Sequence, residues 1–387
     1  MRSDYINDYT AKKEVICRKN DYIAPRLYDE YGVNKGLRDE KGNGVLAGLT
    51  NISKIVSSKV INGKKEPCDG ELWYRGYRVE ELIENLGADE MGFEKIAYLL
   101  LMGELPSQSE HAEFKEIIGQ CRTLPTNFTR DVIMKAPSDD IMNSMTRSIL
   151  TLASYDKFAK DTSVCNSLRQ CIQLISEFPL LAVYGYHAYN YYDNMGSMFI
   201  HRPDPKLSTA ENLLMILRPD KMYTMTEAKV LDTALILHME HGGGNNSTFT
   251  TRVVTSSGSD TYSTIAAAMS SLKGPKHGGA NIKVMEMMAD IRAHIGDYSD
   301  KDEVKAYLTK IVDKDAFDKK GLVYGMGHAV YSHSDPRATV FKGFVEKLSN
   351  EKGLHDEFNL YSMVERLAPQ VIAEERRIYK GVCANVD

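Results

Sequence analysis

The sequence predicts a mainly α-helical protein, and three observations carry this prediction. Apolar residues recur at the spacing of one helix face through most of the chain. Segments that contain glycine and proline, such as Gly274-Pro275, interrupt that spacing and separate successive helices. Strand-type alternation is confined to a stretch near the N-terminus. With 387 residues, 43% hydrophobic and 26% charged, the chain is long enough for one large or two ordinary domains.

The minor β-structure comes first along the chain. Short strands are expected at about 52–61 and 71–74, and Gly63 with the two lysines after it indicates a hairpin. Helical periodicity marks a longer set of segments. These lie at roughly 93–102, 111–121, 141–158, 164–175, 301–312 and 336–349.

The segment from His238 to Asn246 holds two histidines and a glycine run. Upstream, Thr224-Met225-Thr226-Glu227 has the pattern of a capping box and predicts a helix to about His241, on which both histidines share a face. Such a pair could chelate a metal. The sequence lacks H-E-x-x-H, however, and positions no third ligand, so no metal site is predicted. The alternative is one core histidine followed by a helix-ending glycine run.

His277 is predicted to lie between two helices. One follows Ser259-Asp260 and ends near Gly274-Pro275, and the next begins near Asn281. The neighbouring glycines let the backbone approach a ligand, and the helix N-terminus favours a neutral imidazole that donates a hydrogen bond. Such a donor can stabilise an enolate oxygen. A loop histidine in a flexible turn and a phosphate-binding loop are the alternatives, but the spacing does not match G-x-x-x-x-G-K-[ST].

A third cluster joins Gly325-Met326-Gly327-His328 to Ser334-Asp335-Pro336-Arg337. The glycines expose backbone groups, His328 can act as an acid or donor near neutral pH, and Arg337 can bind a carboxylate bidentately. Asp-Pro alone is an ordinary turn. Separate structural explanations exist for each cluster. They do not explain why three loops with glycine and histidine, an arginine and a terminal aspartate occur in this order.

Composition argues against several classes of protein. The net charge of −5 is spread along the chain without a basic stripe, which disfavours nucleic-acid binding. The six cysteines form no C-x-x-C pair, so neither a disulfide framework nor a thiolate zinc site is indicated. The N-terminus leads into no apolar signal region, and no run of about 18 uncharged apolar residues occurs. We therefore expect a cytoplasmic protein without nucleic-acid or membrane partners.

From residue 238 to 337 the motif order resembles the citrate synthase family. The motifs are H-x-x-H-G-G-G-N, S-x-x-S-D-x-Y-S-x-x-A-A-A, G-P-x-H-G-G-A-N, G-x-G-H-A-V-Y and D-P-R, with N-V-D at the end. Weaker resemblance extends back through 70–77 and 98–106, so essentially the whole chain is covered. The combination is far more specific than any single motif.

The resemblance implies condensation of acetyl-CoA with oxaloacetate, followed by hydrolysis of citryl-CoA to citrate and CoA. Asp387 matches the base that removes the α-proton, and His277 matches the donor to the thioester oxygen. His328 matches the group that protonates the oxaloacetate carbonyl. His241 and Arg337 match ligands of the oxaloacetate dianion.

The family's contacts with CoA also map onto this chain. Lys380 lies where a basic residue near the CoA phosphates is expected. A six-residue loop resembles the segment that receives the CoA adenine through backbone groups. This loop is Leu322, Val323, Tyr324, Gly325, Met326 and Gly327. No metal or redox cofactor is implied, since the CoA thioester is a substrate.

The fold that goes with the resemblance is mainly α-helical, with a large domain at 1–278 and a small domain at 279–387. The domains close over the substrates and exclude water from the enolate, and a homodimer is the usual minimum assembly.

Three departures from the family pattern stand out. Gly242 replaces an acidic residue found in many relatives, and Ser332 replaces a basic residue suited to a CoA phosphate. Relatives also continue for several tens of residues beyond the aspartate that matches Asp387. The resemblance therefore leads us to expect that both domains are incomplete on the C-terminal side, and that the 387 residues alone have little synthase activity.

Two other functions stay open. A 2-methylcitrate synthase, which uses propionyl-CoA, shares all these motifs, and room for one methyl group is worth only about 1–3 kcal/mol. An inactive helical binding or structural protein could have kept the same fold.

Overall fold

The structure, a computed structural model, describes residues 24–32, 49–87, 90–274, 277–327, 330–377 and 381–386. The chain divides into two compact units, residues 1–48 and 49–387. In the first unit, the described residues form helix α1 (Arg26–Glu30). The second unit contains the sheet and the other described helices.

An antiparallel sheet of three strands follows α1. Its order is β1 (Ser53–Ile61), β2 (Lys64–Tyr74) and β3 (Tyr77–Arg78). The predicted hairpin is confirmed, because Asn62 and Gly63 both have positive φ, at 51° and 77°, as a tight hairpin turn requires. β2 starts well before the predicted residue 71.

Helices account for most of the described residues, and the prediction of a mainly α fold is confirmed. A π-helical turn lies at Thr129–Ile133. The α-helices are α2 (Val79–Glu84), α3 (Phe93–Met102), α4 (Gln108–Cys121), α5 (Ile141–Leu152), α6 (Val164–Asp193), α7 (Thr209–Leu217), α8 (Met225–Leu237), α9 (Asn246–Ser256), α10 (Thr261–Leu272), α11 (Ala280–His294), α12 (Lys301–Val312), α13 (Pro336–Lys352) and α14 (His355–Arg376).

Two predicted helix ends are wrong, and tertiary contacts explain both. α5 ends at Leu152, because the Asp156 carboxylate instead accepts hydrogen bonds from the Phe158 N–H and the Tyr262 hydroxyl, each at 2.9 Å. α6 continues far beyond residue 175 despite an internal proline, since its later turns are buried in the apolar core.

The predicted helix end at His241 is also wrong. The capping box at Thr224 and Glu227 is present, but α8 ends at Leu237 with His238 as its C-cap. His238 and His241 therefore do not share a helix face. His238 is exposed, and its Nδ1 lies 2.7 Å from the Ala234 carbonyl oxygen.

Two apolar cores flank the segment that carries the later motifs. One is built by α11, α12 and α14 and includes Val323. The other is built by β2, α2, α3 and α8, and Val340, Phe341 and Phe344 of α13 pack against it. Val323 therefore belongs to one core, whereas the helix that carries Arg337 packs on the other. The first core consists only of residues after the predicted boundary at 278/279, which stays a prediction. Among the described helices, none is long and apolar enough to cross a membrane.

Tyr74 couples the second core to the loop after α8. It is fully buried, and its hydroxyl lies 3.1 Å from the carbonyl oxygens of both Ile236 and Glu240.

We expect Tyr74→Phe to lower the free energy of unfolding by about 1–3 kcal/mol, because these carbonyls lose their donor. Tyr77→Phe, at a residue 41% exposed, is the control and should change it by less than about 0.5 kcal/mol. Equal effects in urea titrations would contradict this role.

Candidate active site

His241 begins the glycine-rich loop that leads from α8 to α9. Gly242 has a positive φ of 83°, which is strained for a residue with a side chain, and a Cβ there would lie 2.7 Å from Cδ1 of Ile55, so the Ile55 side chain would have to shift. The Gly242 N–H donates to a carboxylate oxygen of Glu240 at 2.7 Å. The Ser53 hydroxyl donates to the same oxygen at 2.9 Å. β1 therefore fixes the beginning of the loop.

Asn245 fixes the other end of this loop by capping α9. Its Oδ1 accepts the Thr248 N–H at 2.9 Å, and its Nδ2 donates to the Gly242 carbonyl at 3.0 Å. This cap places Ser247 in the first turn of α9. The Ser247 hydroxyl lies 2.8 Å from Nε2 of His277. Sequence reasoning missed Ser247, which carries no pattern of its own.

His277 lies between α10 and α11, as predicted, and is half-buried. Burial lowers the pKa of its imidazole below the ordinary value, so the ring is neutral near pH 7. The predicted neutral state is therefore supported, although by desolvation rather than by the helix that follows. Gly278 serves packing, because a Cβ there would lie 2.5 Å from the carbonyl oxygen of Leu272.

Tyr331 joins His241 to β2. Its hydroxyl oxygen lies 3.3 Å from Nε2 of His241, and the two rings meet edge to face with centroids 5.4 Å apart. The same hydroxyl lies 3.4 Å from the Glu71 carbonyl oxygen. The side chain is 2% exposed. Tyr331 belongs to the motif G-x-G-H-A-V-Y, but the sequence does not reveal this contact.

Gly70 of β2 makes room for this arrangement. A Cβ at residue 70 would lie 2.6 Å from Cδ1 of Tyr331 and 2.3 Å from the Ser334 carbonyl oxygen. The Gly70 N–H also donates to the Ser334 hydroxyl at 3.2 Å. The segment before α13 can therefore pack on β2 only where the strand lacks a side chain.

Arg337 lies in the first turn of α13, whose N-cap is Asp335. The guanidinium binds this carboxylate bidentately, with Nε to Oδ1 at 3.0 Å and Nη2 to Oδ2 at 2.6 Å. Both residues are buried, at 7% and 1% exposure. Asp335 thus fixes the direction of the guanidinium and offsets much of its charge.

The loop predicted to receive CoA is tied to the chain's last described residues. The Gly327 N–H donates to the Cys383 carbonyl at 2.7 Å, and the Asn385 N–H donates to the Gly325 carbonyl at 2.9 Å. Met326 and Ala384, which lie between these two hydrogen bonds, pair as an isolated antiparallel β-bridge. These two backbone groups of the loop are therefore engaged within the chain.

The side chains of this loop differ in their surroundings. Val323 is buried in the core, whereas Leu322 is 45% exposed. The Tyr324 hydroxyl donates to Asp318 at 2.7 Å, and burial together with this carboxylate raises the pKa of Tyr324 to about 12. Tyr324 is therefore a neutral phenol at physiological pH.

The structure thus links His241 to His277 through one short loop, and His241 to the segment before Arg337 through Tyr331. The predicted residues His328, Lys380 and Asp387 lie outside the described residues. Within the described ranges, no cluster of histidine, cysteine and acidic residues could hold a metal ion.

Comparison with known proteins decides the family. Residues 41–387 match the family described as citrate synthase, C-terminal domain. The chain belongs to the citrate synthase family. A citrate synthase of Synechocystis sp. is 34% identical over 322 residues, covering 82% of this chain and 73% of that protein. A 2-methylcitrate synthase of Shewanella oneidensis is 32% identical over 295 residues, covering 73% of this chain and 68% of that protein.

Solved structures agree with this membership. The citrate synthase of Pyrobaculum aerophilum superposes with a TM-score of 0.70 at 25% identity, covering 91% of this chain and 82% of that one. A ternary complex of carboxymethyl coenzyme A and oxaloacetate with citrate synthase from Thermoplasma acidophilum gives a TM-score of 0.70 at 27% identity, covering 91% and 81%. The citrate synthase fold predicted from the motifs is confirmed.

The packing of Tyr331 against Gly70 can be tested by stability alone. We expect Gly70→Ala to lower the free energy of unfolding by about 1–3 kcal/mol, because the new methyl overlaps Tyr331 and the backbone at Ser334. Gly343→Ala is the matched control. It lies in α13 with open space around it and should be neutral or stabilising by up to about 1 kcal/mol. A neutral Gly70→Ala in urea unfolding would contradict the described packing.

Proposed function

We propose that the protein is a citrate synthase that condenses acetyl-CoA with oxaloacetate and hydrolyses citryl-CoA to citrate and CoA. The observation that carries the proposal is the half-buried His277, whose pKa is lowered and whose Nε2 lies 2.8 Å from the Ser247 hydroxyl. A neutral imidazole in a fixed direction suits donation to a thioester oxygen as it gains negative charge.

Enolisation is the first step. An α-proton beside a thioester carbonyl is weakly acidic, so a base must act together with a donor to the carbonyl oxygen. Asp387 takes the proton, and His277 stabilises the enol or enolate that forms. Family membership supports both assignments through the motifs G-P-x-H-G-G-A-N and N-V-D.

Carbon–carbon bond formation and hydrolysis follow. The enol carbon attacks the ketone carbon of oxaloacetate, and His328 protonates the oxygen that becomes the alkoxide. Water then cleaves the thioester of citryl-CoA, releasing citrate and CoA. His241 and Arg337 hold the oxaloacetate dianion during these steps. The buried bidentate pair of Arg337 with Asp335 supports this role, because it gives the guanidinium one fixed direction.

CoA binds as a substrate at the loop 322–327 and near Lys380, and no metal or redox cofactor takes part. Family membership supports this assignment, because the loop resembles the segment that receives the CoA adenine in the family.

The working protein is a homodimer in the cytoplasm. Helix α9 buries none of its residues within the chain, and Val253 on it is 51% exposed, which suits coverage by a second copy. The described cysteines are free thiols, as expected in a reducing compartment.

A second candidate function is 2-methylcitrate synthesis from propionyl-CoA. It is favoured by relatives with that name, at 32% identity in two organisms, alongside the citrate synthases. The chemistry and the site residues are the same in both reactions, and only the room for one methyl group differs.

The reaction itself gives the first functional prediction. In a thiol-release assay, the full-length protein should liberate CoA from acetyl-CoA only when oxaloacetate is present, because the enol needs an acceptor. We expect kcat/KM for propionyl-CoA to be lower by about 10- to 200-fold. The reverse preference would establish the 2-methylcitrate reaction, and CoA release without any keto acid would indicate a thioesterase.

The division of labour among the site residues gives the second functional prediction. Asp387→Asn and His277→Gln should each lower kcat by about 10²–10⁴ with little change in oxaloacetate binding, because both groups act on enolisation. Arg337→Lys should chiefly raise the oxaloacetate KM, by about tenfold, since it keeps the charge beside Asp335 but loses the bidentate fork. His238→Gln, at an exposed histidine, is the control and should retain wild-type kinetics. The opposite pattern of kcat and KM effects would reverse these roles.

A further inference from the structure

The mechanism proposed above gives Tyr331 no task, yet this side chain has an unusually constrained position. Its hydroxyl oxygen lies between Nε2 of His241, at 3.3 Å, and the Glu71 carbonyl oxygen, at 3.4 Å. Gly70 leaves just enough space for the ring. A residue held from both sides in this way can control what it touches.

Proton counting sets the direction of these contacts. A carbonyl oxygen can only accept, so the Tyr331 proton must point toward Glu71 for that contact to be a hydrogen bond. The Tyr331 oxygen then accepts from the other side, and Nε2 of His241 must carry a hydrogen. A proton pointing instead toward His241 would leave the contact with the Glu71 carbonyl without a hydrogen.

Tyr331 stays in the form that this chain of donors needs. Burial, and next the Asp335 carboxylate, raise its pKa far above the ordinary range of tyrosine, so it remains a neutral phenol.

We propose that Tyr331 is a positioning residue that holds the His241 imidazole in one orientation, with the hydrogen on Nε2, through the chain Glu71 carbonyl, Tyr331 hydroxyl and His241. The consequence for substrate rests on the proposed function, in which His241 is a ligand of oxaloacetate. A ring fixed before the substrate arrives loses less entropy on binding and presents the same nitrogen each time.

Tyr331→Phe tests the proposal, because it removes only the hydroxyl and keeps the ring against Gly70. The direct readout is the ¹⁵N NMR spectrum of histidine-labelled protein at about pH 8, where an imidazole of ordinary pKa is neutral and one nitrogen carries the hydrogen. His241→Gln assigns the His241 signals. Wild type should show hydrogen on Nε2, and Tyr331→Phe should lose that preference. A bare Nε2 in wild type, or an unchanged spectrum in the variant, overturns the proposal.

Oxaloacetate binding is the second readout, and it tests a different claim. If His241 is a substrate ligand, Tyr331→Phe should raise the oxaloacetate KM by about three- to tenfold, the size of one hydrogen bond, with little change in kcat. A changed spectrum with an unchanged KM leaves the positioning role intact and removes His241 from oxaloacetate binding.

Tyr184→Phe is the matched control for both readouts. Tyr184 is also buried, and its hydroxyl likewise donates to a backbone carbonyl, that of His201, at 2.7 Å. It belongs to a core that does not include His241. The Tyr184→Phe variant should leave the ¹⁵N spectrum of His241 and the oxaloacetate KM as in wild type. Equal shifts in both variants would mean that a general loosening of the fold is responsible, and would overturn the specific role of Tyr331.

Discussion

The site depends on one packing contact, the close approach of the segment Tyr331–Ser334 to β2 at Gly70. Because the strand has no side chain there, the segment reaches the backbone of β2 and directs Tyr331 toward His241. The same segment leads into α13, whose apolar side chains pack on the core that β2 shares with α8. His241 comes from the loop after α8. Tyr331 and His241, the two residues that meet, are therefore both attached to elements of this one core.

Charge is controlled at the site by burial and by pairing. His277 is kept neutral by desolvation. A neutral imidazole can donate its N–H hydrogen bond to an oxygen without giving up that hydrogen. Arg337 is held in one direction by a buried carboxylate two residues away. In the proposed reaction, the dianionic substrate meets a guanidinium of fixed direction whose charge Asp335 partly offsets, and the thioester oxygen meets a neutral donor. This separation of tasks fits a reaction in which negative charge moves from an enolate to an alkoxide.

Sequence reasoning recovered what is encoded locally. The capping box at Thr224 correctly placed the start of α8. The Asp260 cap and the break at Gly274-Pro275 placed His277 between helices. Contacts that join distant segments were not recoverable. The Ser247–His277 pair spans 30 residues, and the Tyr331–Glu71 pair spans 260.

The helix errors have a similar origin. Helix α9 was missed because it buries no residue within the chain and so lacks an apolar stripe. Helix α7 was missed although its capping box at Ser208 and Glu211, followed by an apolar run, is a readable signal.

The central claim is that His241, His277 and Arg337 surround one pair of substrates. A crystal structure of the protein grown with oxaloacetate and an unreactive acetyl-CoA analogue tests it most directly. The account predicts that the oxaloacetate carboxylates lie within hydrogen-bond distance of His241 and Arg337, and that His277 faces the atom that replaces the thioester oxygen. Oxaloacetate bound elsewhere, or an analogue whose acyl end lies away from His277, would contradict the account.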